Sequence, residues 1–352
     1  MCEKRSGTVE VQAVLAGDRK ALARALTLVE NNSPGAGELL DQLFPHAGKA
    51  HLVGVTGSPG SGKSSLVNQI TRHLRKTAEG EPIKKVAIVA VDPSSPFSGG
   101  AILGDRIRMR DISQDDGVFI RSMASRGHLG GMAATTGAMT RVLDAAGYDI
   151  ILIETVGAGQ SEVEVAGLAH TTIVVEAPGM GDDIQAIKAG ILEIADILVV
   201  NKADLPLAEN TMRALSAGLK FFRPDQDWVN DRLHHPSMLF EPLPWADIDP
   251  QSSIEYWTPP LLKTISSEGV GIEVVLTAIE DHRSFLIEQQ QWQRSEALRL
   301  QQELNQLLLS AYAEQWNKKI SREKMEKVVL QMIRREISPQ SAARELLEEN
   351  KR

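Results

Sequence analysis

The chain has 352 residues, 42% of them apolar and 24% charged, with a formal net charge of -8. That length supports one large core plus accessory segments, and the acidic balance argues against a nucleic-acid binder that works through a generally basic surface. A single cysteine, Cys2, excludes a disulfide framework and a cysteine metal site, and no apolar run approaches the roughly 18 residues of a membrane helix, so a cytoplasmic protein without membrane contact is expected.

Val11, Leu15, Leu22, Leu26 and Val29 recur at helical spacing, with Gly17 and Asp18 as the break between two helices. The stretch NNSPGAG at 31–37 predicts a loop, and a further helix at about 38–44 completes an N-terminal helical extension over 1–46. A main domain over 47–280 follows. Its strand-like apolar runs lie at 52–55, 86–91, 150–153, 172–175, 197–200 and about 261–265, with helical patterns at 64–76, 128–146, 182–195 and 207–220. Near-continuous Val, Ile and Leu strands alternating with helices predict an α/β fold with a mostly parallel sheet covered on both faces, and ligands then bind at the carboxyl ends of the strands.

Residues 223–260 change character, with seven prolines, three of the five tryptophans and no clear period, which predicts an irregular surface insertion. Beyond 280 the chain reads as a helical arm over 281–352. In it Ala297, Leu300, Leu304, Leu307 and Ala311 form an apolar seam with 3,4,3,4 spacing, suited either to packing back on the domain or to pairing with a second copy.

The chemistry starts at LVGVTGSPGSGKSSL, 52–66. An apolar strand leads into G-x-x-x-x-G-K-S at 57–64, and a helical pattern begins at Ser65. Phosphate oxygens need many inward-facing N–H donors. Gly57, Gly60 and Gly62 reach backbone angles closed to other residues, and Ser58, Pro59 and Ser61 fill the loop between them. The following helix offers free amides and a positive dipole end. Lys63 is expected on the β and γ phosphates, and the Ser64 hydroxyl on Mg²⁺.

The second signal is Asn201-Lys202-Ala203-Asp204, N-K-x-D directly after an apolar strand, the guanine-recognition element of GTPases. Asp204 can accept from guanine N1–H and N2–H₂, Asn201 can meet the N7/O6 edge, and the Lys202 stem can lie along the base. Adenine lacks the N1–H and would leave a carboxylate unpaired, at a cost of about 1–3 kcal/mol.

Glu154-Thr155-Val156-Gly157 stands where GTPases carry D-x-x-G, so Glu154 is expected to serve Mg²⁺ and the Gly157 amide to sense the γ-phosphate. Ser161 to Glu164 reads as a capping box that starts the next helix. Asp92 and Asp105 are further acids expected either on the Mg²⁺ side or as turn or cap residues, Asp92 because Pro93 follows it. TISSEGVGI at 264–272 resembles the fifth GTPase element, with Ser266, Ser267 and Glu268 at the matching positions. Ala158 occupies the place where small GTPases carry a water-positioning Gln, which predicts slow intrinsic hydrolysis.

With these elements the chain resembles the MeaB/ArgK family, the G3E-related P-loop GTPases that attend adenosylcobalamin-dependent acyl-CoA mutases. The resemblance covers nearly the whole length: LVENNSP at 28–34, GSPGSGKSS at 57–65, VDPSSPFSGGAILGDRIRM at 91–109, SRGHLGG at 125–131, ETVGAGQSEVEV at 154–165, GMGDDIQAIKAGILEIAD at 179–196 and NKAD at 201–204. It implies a homodimeric P-loop GTPase, binding GTP and GDP with Mg²⁺, that gates cofactor loading and protects its mutase. It also implies mobile segments at about 92–109, 154–165 and 177–188, the last carrying Asp182, Asp183 and the functional candidate Lys188. Two other readings share the phosphate loop: a transport-linked kinase, which needs an acceptor pocket, and a nickel-insertion GTPase, which needs metal ligands. The eight histidines show no cluster beyond His234 and His235.

Overall fold

The computed structural model describes residues 9–76, 83–93, 109, 111–125, 131–155, 160–179, 192–221 and 256–348. Three helices open the chain: α1 (Val11–Leu15), α2 (Arg19–Glu30) and α3 (Ala36–Leu43). The break between the first two has a physical cause. Gly17 takes φ +77°, and the Asp18 carboxylate accepts the Ala21 amide at 2.7 Å to cap α2.

Strands and helices then alternate: β1 (His51–Thr56), α4 (Lys63–Leu74), β2 (Val86–Pro93), β3 (Val118–Ser125), α5 (Gly131–Ala145), β4 (Ile150–Thr155), α6 (Gln160–Leu168), β5 (Thr171–Glu176), β6 (Ile197–Val200), α7 (Ala208–Phe221), β7 (Leu261–Lys263) and α8 (Ile272–Glu288). The seven strands form one sheet in the order β3-β2-β4-β1-β5-β6-β7, parallel throughout. Because β1 lies between β4 and β5, the strand order reverses beside it, and the crevice at its carboxyl end is the natural ligand site.

Both faces of the sheet are buried, which is why the strands are apolar at almost every position. Leu52, Val89, Ile151 and Ile153 face α1–α3 and α5, meeting Leu22, Leu26, Leu43, Met139 and Leu143. Val53, Val55, Ile88, Leu152 and Ile173 face the other way, onto Leu66, Val67 and Ile70 of α4 and Ile272, Val275 and Ile279 of α8. Each such Leu or Ile, fully buried, contributes about 1.5–3 kcal/mol.

Three differences from the sequence-based expectations stand out. The strand β3 was not expected. As an edge strand it mixes the apolar Val118, Phe119 and Met123 with Arg121 and Ser122, so it lacks the continuous apolar run of the others. Helix α6 begins at Gln160, which puts Ser161 inside the first turn rather than at the cap. Of the helix expected at 182–195, residues 192–194 are turn and bend, Ala195 is irregular, and the rest lie outside the described residues. The irregular stretch at 223–260 falls between β6 and β7 and is mostly outside them too; within it Trp257 is placed, donating Nε1–H to the Asp196 carbonyl at 2.7 Å.

The arm comprises α9 (Gln291–Lys319), α10 (Arg322–Ile333) and α11 (Pro339–Glu348). Contacts divide the chain into units Met1–Leu300 and Gln301–Arg352, a later point than 281, because Leu286 of α8 is buried and Trp292 and Arg299 of α9 pack on His170. In the second unit the seam residues Leu304 and Leu307 are 55% and 58% exposed. Among the described residues no helix is long and apolar enough to cross a membrane.

The amino ends of the central strands rest on a buried histidine network. His51 Nε2 lies 2.8 Å from Thr171 Oγ1, which lies 2.9 Å from His282 Nδ1. His170 accepts the Leu52 amide at Nδ1 (3.0 Å), stacks on Trp292 at 3.8 Å and meets Arg299 Nη2 at 2.9 Å. Burial first, then His282 and Arg283, push the His51 pKa down to about 3 against the opposing pull of Asp196. Burial first, then Arg299, holds His170 well below the ordinary range.

Unfolded histidines take up protons near pH 6.5 while these two do not, so their stabilisation is complete above that pH and is lost as pH falls from 6.5 towards 3. The slope is up to about 1.4 kcal/mol per pH unit for each histidine. Melting curves from pH 7.5 to 4.5 should therefore show a steadily falling midpoint, and His51→Gln should flatten that slope. A midpoint equally pH-dependent in the variant would show that the acid sensitivity lies elsewhere.

Candidate functional site

Between Thr56 and Lys63 the chain must leave β1, wrap a concavity and start α4 within six residues, and three glycines make this possible. Gly57 has φ +126°, and a Cβ there would sit 2.1 Å from the Val175 carbonyl oxygen. Gly62 has φ +96°, and its Cβ would sit 2.3 Å from Asn201 Nδ2. The loop is thus pressed against both β5 and the segment after β6, at positions only glycine can occupy. Ser58 and Gly62 are half-buried, Ser61 is buried, and Pro59, Gly60 and Ser65 are exposed.

Lys63 opens α4, is buried, and folds its Nζ back over the loop, donating to the Gly57 and Ser58 carbonyls at 2.8 and 3.0 Å. Ser64, one residue on, donates its hydroxyl to Glu154 Oε1 at 2.5 Å. Glu154 is 3% exposed near the end of β4, and the next residue, Thr155, donates to Thr56 Oγ1 at 3.0 Å, fixing the ends of β4 and β1 together. A hydroxyl and a carboxylate converging beside a helix N-terminus form a hard oxygen donor set, which fits Mg²⁺. Asp92 stands at the end of β2, paired in register with Ala124. Asp105, Gly157 and Lys188 lie outside the described residues.

Asn201 follows β6, is 2% exposed and uses its amide in four directions. Nδ2 donates to the Ser61 carbonyl at 2.8 Å, while Oδ1 accepts from Thr264 Oγ1, Ser266 N and Ser266 Oγ at 3.0, 3.0 and 2.8 Å. Sequence reasoning gave this residue the base edge; the fold adds the task of tying the phosphate loop to the turn after β7. Lys202, at φ +56°, extends across the loop to donate to the Gly60 carbonyl at 2.8 Å, which lays its stem over the glycines. Asp204, Ser267 and Glu268 are exposed around this scaffold, and Ser266 is buried within it. Mutual bonds between Ile265 and Val270 at 3.1 and 3.2 Å close the turn.

Sequence reasoning missed two acids. Glu176, at the end of β5, is 4% exposed, and its Oε2 accepts the Ser58 hydroxyl at 2.7 Å. Burial, the largest influence, raises its pKa, opposed by the Ser58 hydrogen bonds and by Lys63. Glu162, in the first turn of α6, is also raised by burial, with Lys63 acting to lower it and Glu176 to raise it further. The signal for Glu176 was present: TTIVVE ends an apolar strand in an acid, just as the run containing Glu154 does.

Asn201→Ala would leave the Ser61 carbonyl and the Ser266 amide without their partner in a buried setting, each worth about 1–3 kcal/mol. The variant should lose on the order of 3 kcal/mol in a denaturant titration and bind guanine nucleotide more weakly. Unchanged stability would remove Asn201 as the tie between the two loops.

Comparison with known proteins agrees with this geometry. The family model described as "Methylmalonyl Co-A mutase-associated GTPase MeaB" matches residues 22–321. A candidate GTPase of Pyrococcus abyssi is 39% identical over 339 residues, covering 96% of this chain and 95% of its own. The GTPase ArgK of Escherichia coli is 45% identical over 192 residues, 53% of this chain and 56% of its own. A solved structure described as LAO/AO transport system kinase superposes with a TM-score of 0.65 at 27% identity, covering 97% of this chain and 96% of that one. The family match spans the phosphate loop, the acid after β4 and the N-K-x-D segment on one seven-stranded parallel sheet, and the chain belongs to the family of methylmalonyl-CoA mutase-associated GTPases typified by MeaB.

Proposed function

We propose that this GTPase is a chaperone of an adenosylcobalamin-dependent acyl-CoA mutase, hydrolysing GTP to gate cofactor loading and to protect the mutase. The observation that carries the reading is the family match over 22–321, whose description names the mutase association. The relative from Caenorhabditis elegans described as a methylmalonic aciduria type A homolog, 36% identical over 245 residues, points the same way.

In this reading the amides of 57–62 and the start of α4 cradle the β-phosphate, and Lys63 exchanges its carbonyl contacts for phosphate oxygens. Ser64 and Glu154 would hold Mg²⁺, with Asp92 and Asp105 as further candidate acids for the metal, and the ion would offset negative charge on the phosphates. Asp204 reads the guanine N1–H and N2–H₂ edge, flanked by Lys202 and by the 266–268 turn, while Asn201 holds these pieces in register. Gly157 is the proposed sensor of the γ-phosphate, and Lys188 is proposed to carry the response to the mutase. The exposed Leu304 and Leu307 supply the apolar seam for a homodimer.

The kinase description of the 27%-identical solved structure gives a second reading, discriminated by transfer of phosphate to anything other than water.

Asp204→Asn should weaken GTP binding and favour xanthosine triphosphate, because an amide can donate to the xanthine C2 oxygen where the carboxylate accepted from the guanine amine. Turnover of GTP equal to the parent's, with no response to the xanthine nucleotide, would show that Asp204 does not read the base.

A cognate mutase should raise GTP turnover several-fold, each factor of ten needing about 1.4 kcal/mol at the transition state. Lys188→Ala should blunt that rise more than it lowers the basal rate. Phosphate release with and without purified mutase tests this. No stimulation and no complex on gel filtration, across methylmalonyl-, isobutyryl- and hydroxyisobutyryl-type mutases, would leave a GTPase without the chaperone role.

A further inference from the structure

Glu176 sits directly behind the phosphate loop and has no part in the mechanism above. It closes β5, is 4% exposed, and its carboxylate is engaged by Ser58 of the loop through both the hydroxyl, at 2.7 Å, and the backbone amide. Its other oxygen, Oε1, is buried without a hydrogen-bond partner among the described residues. The charged groups that face it there are Lys63, from the first turn of α4, and Glu162, from the first turn of α6.

Two buried or half-buried acids therefore share the field of one lysine. A carboxylate in such a place is tolerated only while a cation or hydrogen-bond donors compensate it. Lys63 is also the cation that a phosphate chain recruits. Entry of a triphosphate draws the Lys63 charge onto phosphate oxygens and adds several negative charges a few residues away. The carboxylate at Glu176 then becomes much less stable, and a proton relieves it. Once protonated, Glu176 still accepts from Ser58 and gains an O–H donor.

We propose that Glu176 is a proton-coupled positioning residue of the phosphate loop: as a carboxylate it holds Ser58 in the nucleotide-free loop, and triphosphate binding is accompanied by uptake of a proton from solvent onto its carboxyl group. The inference rests on the reading that 57–64 is the triphosphate site. Its support is the Ser58 contact, the burial and the shared lysine; the pKa of Glu176, already raised by burial, lies in the direction the idea requires. Because binding takes up a proton, affinity rises as pH falls. The change reaches about tenfold per pH unit where the free site is ionised and the bound site protonated.

The test is calorimetric titration of the full chain with a non-hydrolysable GTP analogue and Mg²⁺, at matched pH in buffers of different ionisation heat, for the parent and Glu176→Gln. The parent should take up a fraction of a proton more than the variant. Glu176→Gln should bind more tightly than the parent at the alkaline end and converge with it at the acid end. Equal proton uptake and parallel pH profiles would overturn the proposal while leaving the nucleotide site intact. No binding by the parent would overturn the nucleotide-site reading and this proposal with it. If circular dichroism shows Glu176→Gln misfolded, Ser58→Ala takes its place: losing the hydroxyl donor favours protonation of Glu176 in the free protein, so uptake on binding should shrink. Uptake equal to the parent's would again overturn the idea.

Discussion

The site depends on one carboxamide. Asn201 has a donor and an acceptor on the same planar group, and the fold points the donor at Ser61 in the phosphate loop and the acceptor at Thr264 and Ser266 after β7. Phosphate-binding and base-reading segments come from strands at different places in the sheet, β1 on one side and β6 and β7 on the other, with β5 between them. Backbone pairing fixes the strands, not the loops beyond their ends. A buried side chain that bonds both loops converts strand register into loop position, and its burial at 2% keeps water from competing for those bonds.

The two ends of the sheet are built on opposite electrostatic terms. At the carboxyl ends Lys63 lies among the buried or half-buried acids Glu154, Glu162 and Glu176, so the proposed arrival of a polyanion would shift their charge balance. At the amino ends His51, His170 and His282 are buried among Thr171, Trp292 and Arg299, and burial keeps His51 and His170 neutral at ordinary pH. That floor joins β1 and β5 to α8 and the start of α9. A parallel sheet makes this division available, because every strand delivers its last residue to the same side.

Polar groups of the phosphate loop are bonded to one another and to β5. Lys63 bonds to the Gly57 and Ser58 carbonyls and Ser58 bonds to Glu176, so the groups that meet phosphate are satisfied internally. Binding exchanges those bonds for stronger, charge-assisted ones.

Much of this was legible in the sequence. The glycine spacing at 57, 60 and 62, Lys63 and Ser64 after it, and Asn201 to Asp204 after an apolar run are local patterns, and local backbone geometry demands them. The parallel sheet followed from strands apolar at nearly every position. The edge strand β3 was hidden because Arg121 and Ser122 interrupt its apolar run, and Arg121 is accommodated there by Glu30 and Thr27 of α2, partners far away in the chain. Glu176 was passed over because an acid after a strand has no meaning until another chain segment faces it; only the packing of the phosphate loop against β5 brings Ser58 within 2.7 Å. The sequence alone determined the phosphate-loop and N-K-x-D patterns, and with them the proposed phosphate and guanine contacts, since such patterns reside in single side chains and short turns. The tertiary structure decided which of them meet, that Asn201 serves as a tie and that Glu176 shares the field of Lys63, because hydrogen bonds and charge coupling depend on distances between segments more than a hundred residues apart in the chain.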